Sequence, residues 1–239
     1  MVRIKPAGDQ AVTIEFGECI DEAVSARVIA LDLGLKDDPV AGITETVPTY
    51  RSLLVFYDPA IVAGADLAKR LEARAAATNV SKETLARHFT VPVCYQGADA
   101  LDLQAVAAER AMSADEVIAL HTGATFRVFM IGFAPGFAYL GGLPEALATP
   151  RLAEPRQHVP AGAVGIGGRQ AAINSLPGPS GWRYIGRTPL RLFDAGRGEP
   201  AFFRAGDIIR FAAVSPAEMA DLDRRADLGE AIVEAQPPW

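Results

Sequence analysis

The chain has 239 residues, half of them hydrophobic and 22% charged, with 23 basic residues against 29 acids for a formal charge of −6. That length and apolar content suffice for a real core in one large or two smaller domains and exclude disorder. No apolar run is long enough to span a bilayer, and no apolar stretch follows the basic residues at the start, so a cytoplasmic protein with no membrane or nucleic-acid partner is expected.

Residues 3–5 and 11–16 flank the turn Pro6-Ala7-Gly8-Asp9 and read as a hairpin. A helix is predicted over 21–33, with Val24, Val28 and Leu31 at helical spacing and Gly34 as its terminus. Strands follow at 43–48 and 52–57, then a helix at 65–77. Together these make a small sheet with helices on one face. A boundary falls in the polar stretch 79–88, dividing the chain into domains 1–85 and 86–239.

The second part opens with a strand at 89–95 and two short helices, 101–111 and 114–121, the latter with a Ser113–Glu116 capping box. Short strands separated by Gly/Pro turns come next, at 125–133, 163–166, 170–174, 183–185, 190–193 and 208–211. That rhythm argues a closed or nearly closed β-barrel. A polar helix over 216–234 leads to a tail, from Gln236, expected to fray. Cys19 and Cys94 lie far apart and read as reduced, half-buried core residues. With three histidines in all (88, 121 and 158), they form no zinc-ligand pattern.

Glycine, proline and arginine are densest between Phe133 and Asp194. Across 151–210 nine arginines face four acids, a local excess of +5 in an acidic protein. Either a compositional bias replaces lysine by arginine, or the stretch forms a surface for an anionic ligand or a partner.

The blocks FAPGFAYLGGLP (133–144), VPAGAVGIGG-x-Q (159–170), GW…IGRTP…LFD (181–194) and RAGDIIRF (204–211), in that order, resemble the KipI-like family. That family includes the B subunits of prokaryotic ATP-dependent 5-oxoprolinases and is also known as allophanate hydrolase subunit 1. ETVPTYRSLLVFYDP (45–59) resembles its N-terminal signature and VPVCYQGADALDLQAVAA (91–108) its domain junction. The resemblance implies an α+β chain: a small N-terminal α/β domain followed by a cyclophilin-like β-barrel related to carboxyltransferase domains. It implies a 5-oxoprolinase C subunit, with which this chain would activate 5-oxo-L-proline at the expense of ATP, and an A subunit that completes ring opening to glutamate. Two departures stand out. The family's Thr-Gly-Ile-Tyr-Pro is here Ala171-Ala172-Ile173-Asn174-Ser175, and its Pro-Gly-Gly-Trp is Pro179-Ser180-Gly181-Trp182.

No P-loop, G-x-S-x-G elbow or EF-hand pattern occurs, so the chain itself shows no nucleotide motif, nucleophile, metal or prosthetic group, and catalytic residues are not assigned. Candidate substrate contacts are polar side chains at turns. Arg151 and Arg156 each follow a proline and Arg187 follows Gly186; their forks suit a carboxylate or phosphate, or else salt bridges, with Glu154 and Asp194 as partners for the first two. Gln170 matches a lactam's C=O and N–H or bonds barrel backbone. Trp182 stacks on a flat ligand or plugs the barrel. His121 ends a predicted helix, where a cation is favoured, and reads as structural. Phe133, Phe137 and Tyr139 read as an exposed aromatic patch facing the C subunit, or as a loop over the barrel mouth. A second reading of the whole chain is a regulator that binds the dimerisation helices of a sensor histidine kinase. A cyclophilin-like fold does not by itself carry isomerase activity.

Overall fold

The computed structural model describes residues 2–78 and 86–238. The chain divides into two compact units, Met1–Leu85 and Ala86–Trp239. Most of the boundary segment expected at 79–88 lies outside the described residues. Among the described residues no helix is long and apolar enough to cross a membrane.

The first unit contains strands β1 (Arg3–Pro6), β2 (Ala11–Glu15), β3 (Ile43–Pro48) and β4 (Ser52–Tyr57), with helices α1 (Glu22–Asp37) and α2 (Gly64–Ala77). The antiparallel sheet runs β1-β2-β4-β3. Period-2 alternation puts Val12, Ile14, Leu53, Val55 and Tyr57 on one face, and both helices pack there through Val28, Leu31, Leu35, Leu67 and Leu71. Asp21 caps α1 by accepting from the backbone N–H groups of Ala23 and Val24. The helix does not stop at Gly34: it runs on to Asp37, because Leu35 continues the buried stripe and its burial outweighs one glycine.

The second unit contains β5 (His88–Cys94), α3 (Leu103–Glu109), α4 (Ala114–Gly123), β6 (Phe126–Ile131), β7 (Ala138–Gly141), β8 (Arg156–Val159), β9 (Ala163–Gly167), β10 (Gln170–Ile173), β11 (Gly178–Ser180), β12 (Arg183–Arg187), β13 (Ile208–Val214) and α5 (Pro216–Asp227). Seven of these strands close a barrel in the order β10-β7-β6-β13-β5-β12-β9. Only the β13–β5 pair is parallel, matched along its length from Ile208↔His88 to Val214↔Cys94. The Ser113–Glu116 capping box of α4 is present.

The barrel wall has two apolar faces. Inward, residues such as Val91, Val128, Leu140, Ile166, Ile173 and Ile209 fill the interior. Outward, Tyr139, Ala163, Ala172 and Tyr184 carry a second cluster with Phe137, Val159 and Trp182. The two-stranded ribbon β8–β11 belongs to this outer layer.

Four further sequence expectations are corrected here. β7 lies inside the stretch read as an apolar loop, where Ala138 and Leu140 alternate into the barrel. Leu190–Phe193 forms no strand: Leu190 and Leu192 plug the core, and Phe193 makes only an isolated bridge to Ala201. α5 ends at Asp227, and the tail does not fray at Gln236, whose N–H donates to the carbonyl of His88 at 2.8 Å.

Candidate functional site

The arginine-rich stretch is locally positive in sequence but not in space. Arg156 donates to both carboxylate oxygens of Asp102 at 2.9 and 2.6 Å, and Asp102, 4% exposed, also accepts from the Tyr184 N–H at 2.7 Å. The partner is thus neither Glu154 nor Asp194 but an acid at the entrance to α3. Arg187 donates to Asp223 at 3.0 and 2.6 Å and to Asp99 at 2.6 Å, tying β12 to α5 and to a short turn after β5. The Asp223 bonds, opposed in part by burial, push its pKa further up. Arg169, Arg183 and Arg191 pair with Glu145, Glu109 and Asp227. Acids from outside the stretch answer most of its charge.

Arg151 differs. Its guanidinium lies over the Trp182 ring, 4.5 Å from the centroid, and among the described residues no carboxylate is within ion-pair distance. The backbone makes this possible. A Cβ on Gly167 would stand 2.8 Å from the Trp182 ring and 3.0 Å from Arg151 Nε, and one on Gly165 would stand 2.9 Å from the Tyr184 ring. Bare backbone at these two β9 positions lets the indole and guanidinium lie flat against the wall. Trp182 therefore does not plug the barrel; it stands on the outer face, 5% exposed.

A cleft of about 320 Å³ opens on this face, lined by Phe133, Tyr139, Arg151, Pro155, Trp182, the end of β11 (Pro179, Ser180) and Gly181. Ser180, the last residue of β11, hydrogen-bonds the Tyr184 hydroxyl at 2.8 Å and accepts weakly from the Trp182 N–H at 3.3 Å. The Tyr139 hydroxyl is pushed up in pKa by burial, with Arg151 acting the other way. A cation held on an indole between aromatic and proline walls suits a small flat anion. A larger cleft of about 500 Å³ lies between residues 190–201 and the tail. Its Arg87 and Arg191 are paired with Asp207 and Asp227, and its Arg197 lies over the Phe202 ring at 5.7 Å and donates to the Pro200 carbonyl at 2.9 Å.

Gln170 opens β10 opposite Gly167, half-buried on the face that Ala172 shares, close to the cleft but not in its lining. The aromatic patch separates into three environments. Phe133 is 74% exposed, Tyr139 is half-buried in the cleft wall, and Phe137 is 1% exposed. Phe137 is a core residue, its ring 4.8 Å from Tyr139 and 6.2 Å from Trp182, so it belongs to no exposed patch.

His121 is fully buried, bonded through Nδ1 to the Tyr95 hydroxyl at 2.7 Å and stacked on Phe211 at 4.6 Å. Burial pushes its pKa down to about 3, so it is a neutral core residue rather than a cation on the helix dipole. Of the two cysteines expected to be half-buried, Cys94 is fully buried and Cys19 is exposed. No three His, Cys, Asp or Glu side chains gather around a metal-sized space among the described residues. Sequence reasoning did not single out Asp102, which carries no local signal, whereas the density of Gly and Pro around 155 and 179–181 pointed to the region of the cleft.

The family model for the carboxyltransferase domain, subdomain C and D, matches residues 2–203. The chain is 40% identical over 223 residues to the 5-oxoprolinase B subunit of Bacillus subtilis (strain 168), covering 89% of this chain and 93% of that one. The crystal structure of TTHA0988 superposes with a TM-score of 0.76 at 33% identity, over 90% of this chain but only 40% of the longer protein. The urea amidolyase of K. lactis superposes at 0.80 with 22% identity, over 98% of this chain and 16% of that one, a likeness of fold alone.

Proposed function

Since the chain belongs to the carboxyltransferase domain C and D family, in the company of the 5-oxoprolinase B subunits, we propose that it is the B subunit of an ATP-dependent 5-oxoprolinase. The cytoplasmic complex would convert 5-oxo-L-proline, ATP and water into L-glutamate, ADP and phosphate, with the C subunit sharing substrate activation and the A subunit completing ring opening. The observation that carries this reading is Arg151 held over Trp182, without a carboxylate, in a cleft walled by aromatic rings.

A lactam is resonance-stabilised and a poor electrophile until its oxygen becomes a leaving group. Transfer of the γ-phosphoryl group to that oxygen releases ADP. Water then adds to the activated carbon and the ring C–N bond breaks as nitrogen takes a proton, leaving the γ-acyl phosphate of glutamate, which a second water hydrolyses to the carboxylate and free phosphate. Such chemistry asks the protein chiefly for positioning and charge stabilisation. Arg151 would take the substrate carboxylate as a fork, Trp182 the flat ring, and Gln170, one strand over, the amide edge. Arg156 and Arg187 are engaged with Asp102, Asp99 and Asp223, so this reading assigns phosphoryl contacts to another component of the complex rather than to them.

The test is reconstitution. The purified chain alone should hydrolyse no ATP in response to 5-oxo-L-proline, and addition of its cognate C and A subunits should produce that activity. Steady 5-oxoproline-dependent hydrolysis by the chain alone, or none by the three together, contradicts the proposal.

A further inference from the structure

The hairpin between β6 and β7 reads Gly132-Phe133-Ala134-Pro135-Gly136-Phe137. Gly132 N–H donates to the Phe137 carbonyl at 3.1 Å and Phe137 N–H to the Ala134 carbonyl at 3.0 Å, so the tip is pinned at its base. Phe133 is held there at φ +70°, one of two non-glycine residues with positive φ among the described residues. A bulky L-residue in the left-handed region is an outlier, and such strain collects where function needs a particular side chain in a particular place.

Folding gives no reason for a phenyl ring at this position. The ring is 74% exposed, so it buries little apolar surface, and glycine would accept the same backbone without the steric penalty. What the ring does is meet Phe137 edge-on at 5.5 Å and line the cleft that also holds Arg151, Trp182 and Tyr139. Trp182 rests on the same buried Phe137, at 6.2 Å. The strained backbone thus places one more aromatic face on the rim of a site whose floor already offers a cation and an indole.

We propose that Phe133 is a specificity-determining residue that touches the ligand, its ring forming the outer wall of the Arg151–Trp182 cleft and favouring a flat cyclic anion over an open-chain one. This inference rests on the reading of the cleft as the 5-oxo-L-proline site. In that reaction it separates substrate from product: both carry the carboxylate that Arg151 takes, and only the substrate is a planar ring.

The test uses the chain assembled with its cognate C subunit, titrated calorimetrically with 5-oxo-L-proline and with L-glutamate, in wild type and in Phe133→Gly, Phe133→Ala and Phe133→Tyr. Loss of the ring in the Gly and Ala variants should weaken 5-oxo-L-proline binding about three- to tenfold, the worth of a ring-on-ring contact. Glutamate binding should change little, so the preference for the ring shrinks, and the Tyr variant should bind like wild type. A residue there merely for structure would not give the companion result in the isolated chain: the Gly variant melts at or above the wild-type temperature, the Ala variant does not. Unchanged 5-oxo-L-proline affinity in both Gly and Ala variants overturns this inference alone. Loss of the C subunit by the Gly variant makes Phe133 a docking residue and overturns it too. If wild-type assembly binds no 5-oxo-L-proline, the reading of the cleft itself fails.

Discussion

Two pairs of like residues, a few positions apart, meet opposite fates in this chain. Arg156 closes a bidentate ion pair with buried Asp102, whereas Arg151 lies over Trp182 facing a cleft. Phe137 is buried at 1% exposure and Phe133 stands out at 74%. In each pair one member holds the outer layer of the barrel together and its neighbour is presented by it. Side-chain type and turn chemistry, which the two members share, do not decide the outcome. The backbone conformation at Phe133 and a distant acid partner for Arg156 do.

The comparison breaks most visibly at Phe137. Phe137→Ser removes a ring from the cluster formed with Val159, Ala172, Trp182 and Tyr184 and should cost at least about 3–5 kcal/mol, whereas Phe133→Ser should leave the melting temperature nearly unchanged. Equal melting of the two variants would mean that the outer cluster is not a core. Next comes Arg156→Met. Deleting one partner of a buried ion pair strands the other, here Asp102, at a cost near the lower end of about 3–5 kcal/mol because the Arg156 side chain keeps 31% exposure. Chemical denaturation should show that loss, and a variant as stable as wild type would make Arg156 a candidate ligand contact again.

A smaller effect is expected at the wall itself. Gly167→Ala sets a methyl group 2.8 Å from the Trp182 ring, so the indole and guanidinium must shift, at about 1–3 kcal/mol. Tryptophan fluorescence should change along with stability. An unaltered spectrum would indicate that Trp182 does not rest on β9 as described.

Much of this was legible in advance, and the failures have physical causes. The first unit follows period-2 and period-3.6 patterns strong enough to place its strands and helices, except where Leu35 carries α1 past Gly34. The barrel was legible as short strands between Gly/Pro turns. β7 was not, because its four residues lie between two glycine-rich turns and the flanking aromatics suggested a loop. The residues 190–193 look like a strand because core plugs and strands are equally apolar. At the site, Arg151 and Trp182 could be nominated from their turns, but not their stacking, since Arg151 approaches through the bare backbone of Gly167. The +5 stretch misled because its counter-ions, Asp99, Asp102, Glu109 and Asp223 among them, are remote in sequence and adjacent only after folding.

The claim on which everything else depends is that Arg151, not Arg156 or Arg187, meets the ligand. Arg151→Met should alter the melting temperature little, an exposed cation–π contact being worth about 0.5–1 kcal/mol. Calorimetric titration of the variant chain, assembled with its C subunit, against 5-oxo-L-proline is the direct measurement. Loss of a charge-assisted hydrogen bond, about 1.5–3 kcal/mol, should weaken binding about tenfold to a hundredfold while the assembly stays intact. Wild-type affinity in the Arg151→Met complex would contradict the account.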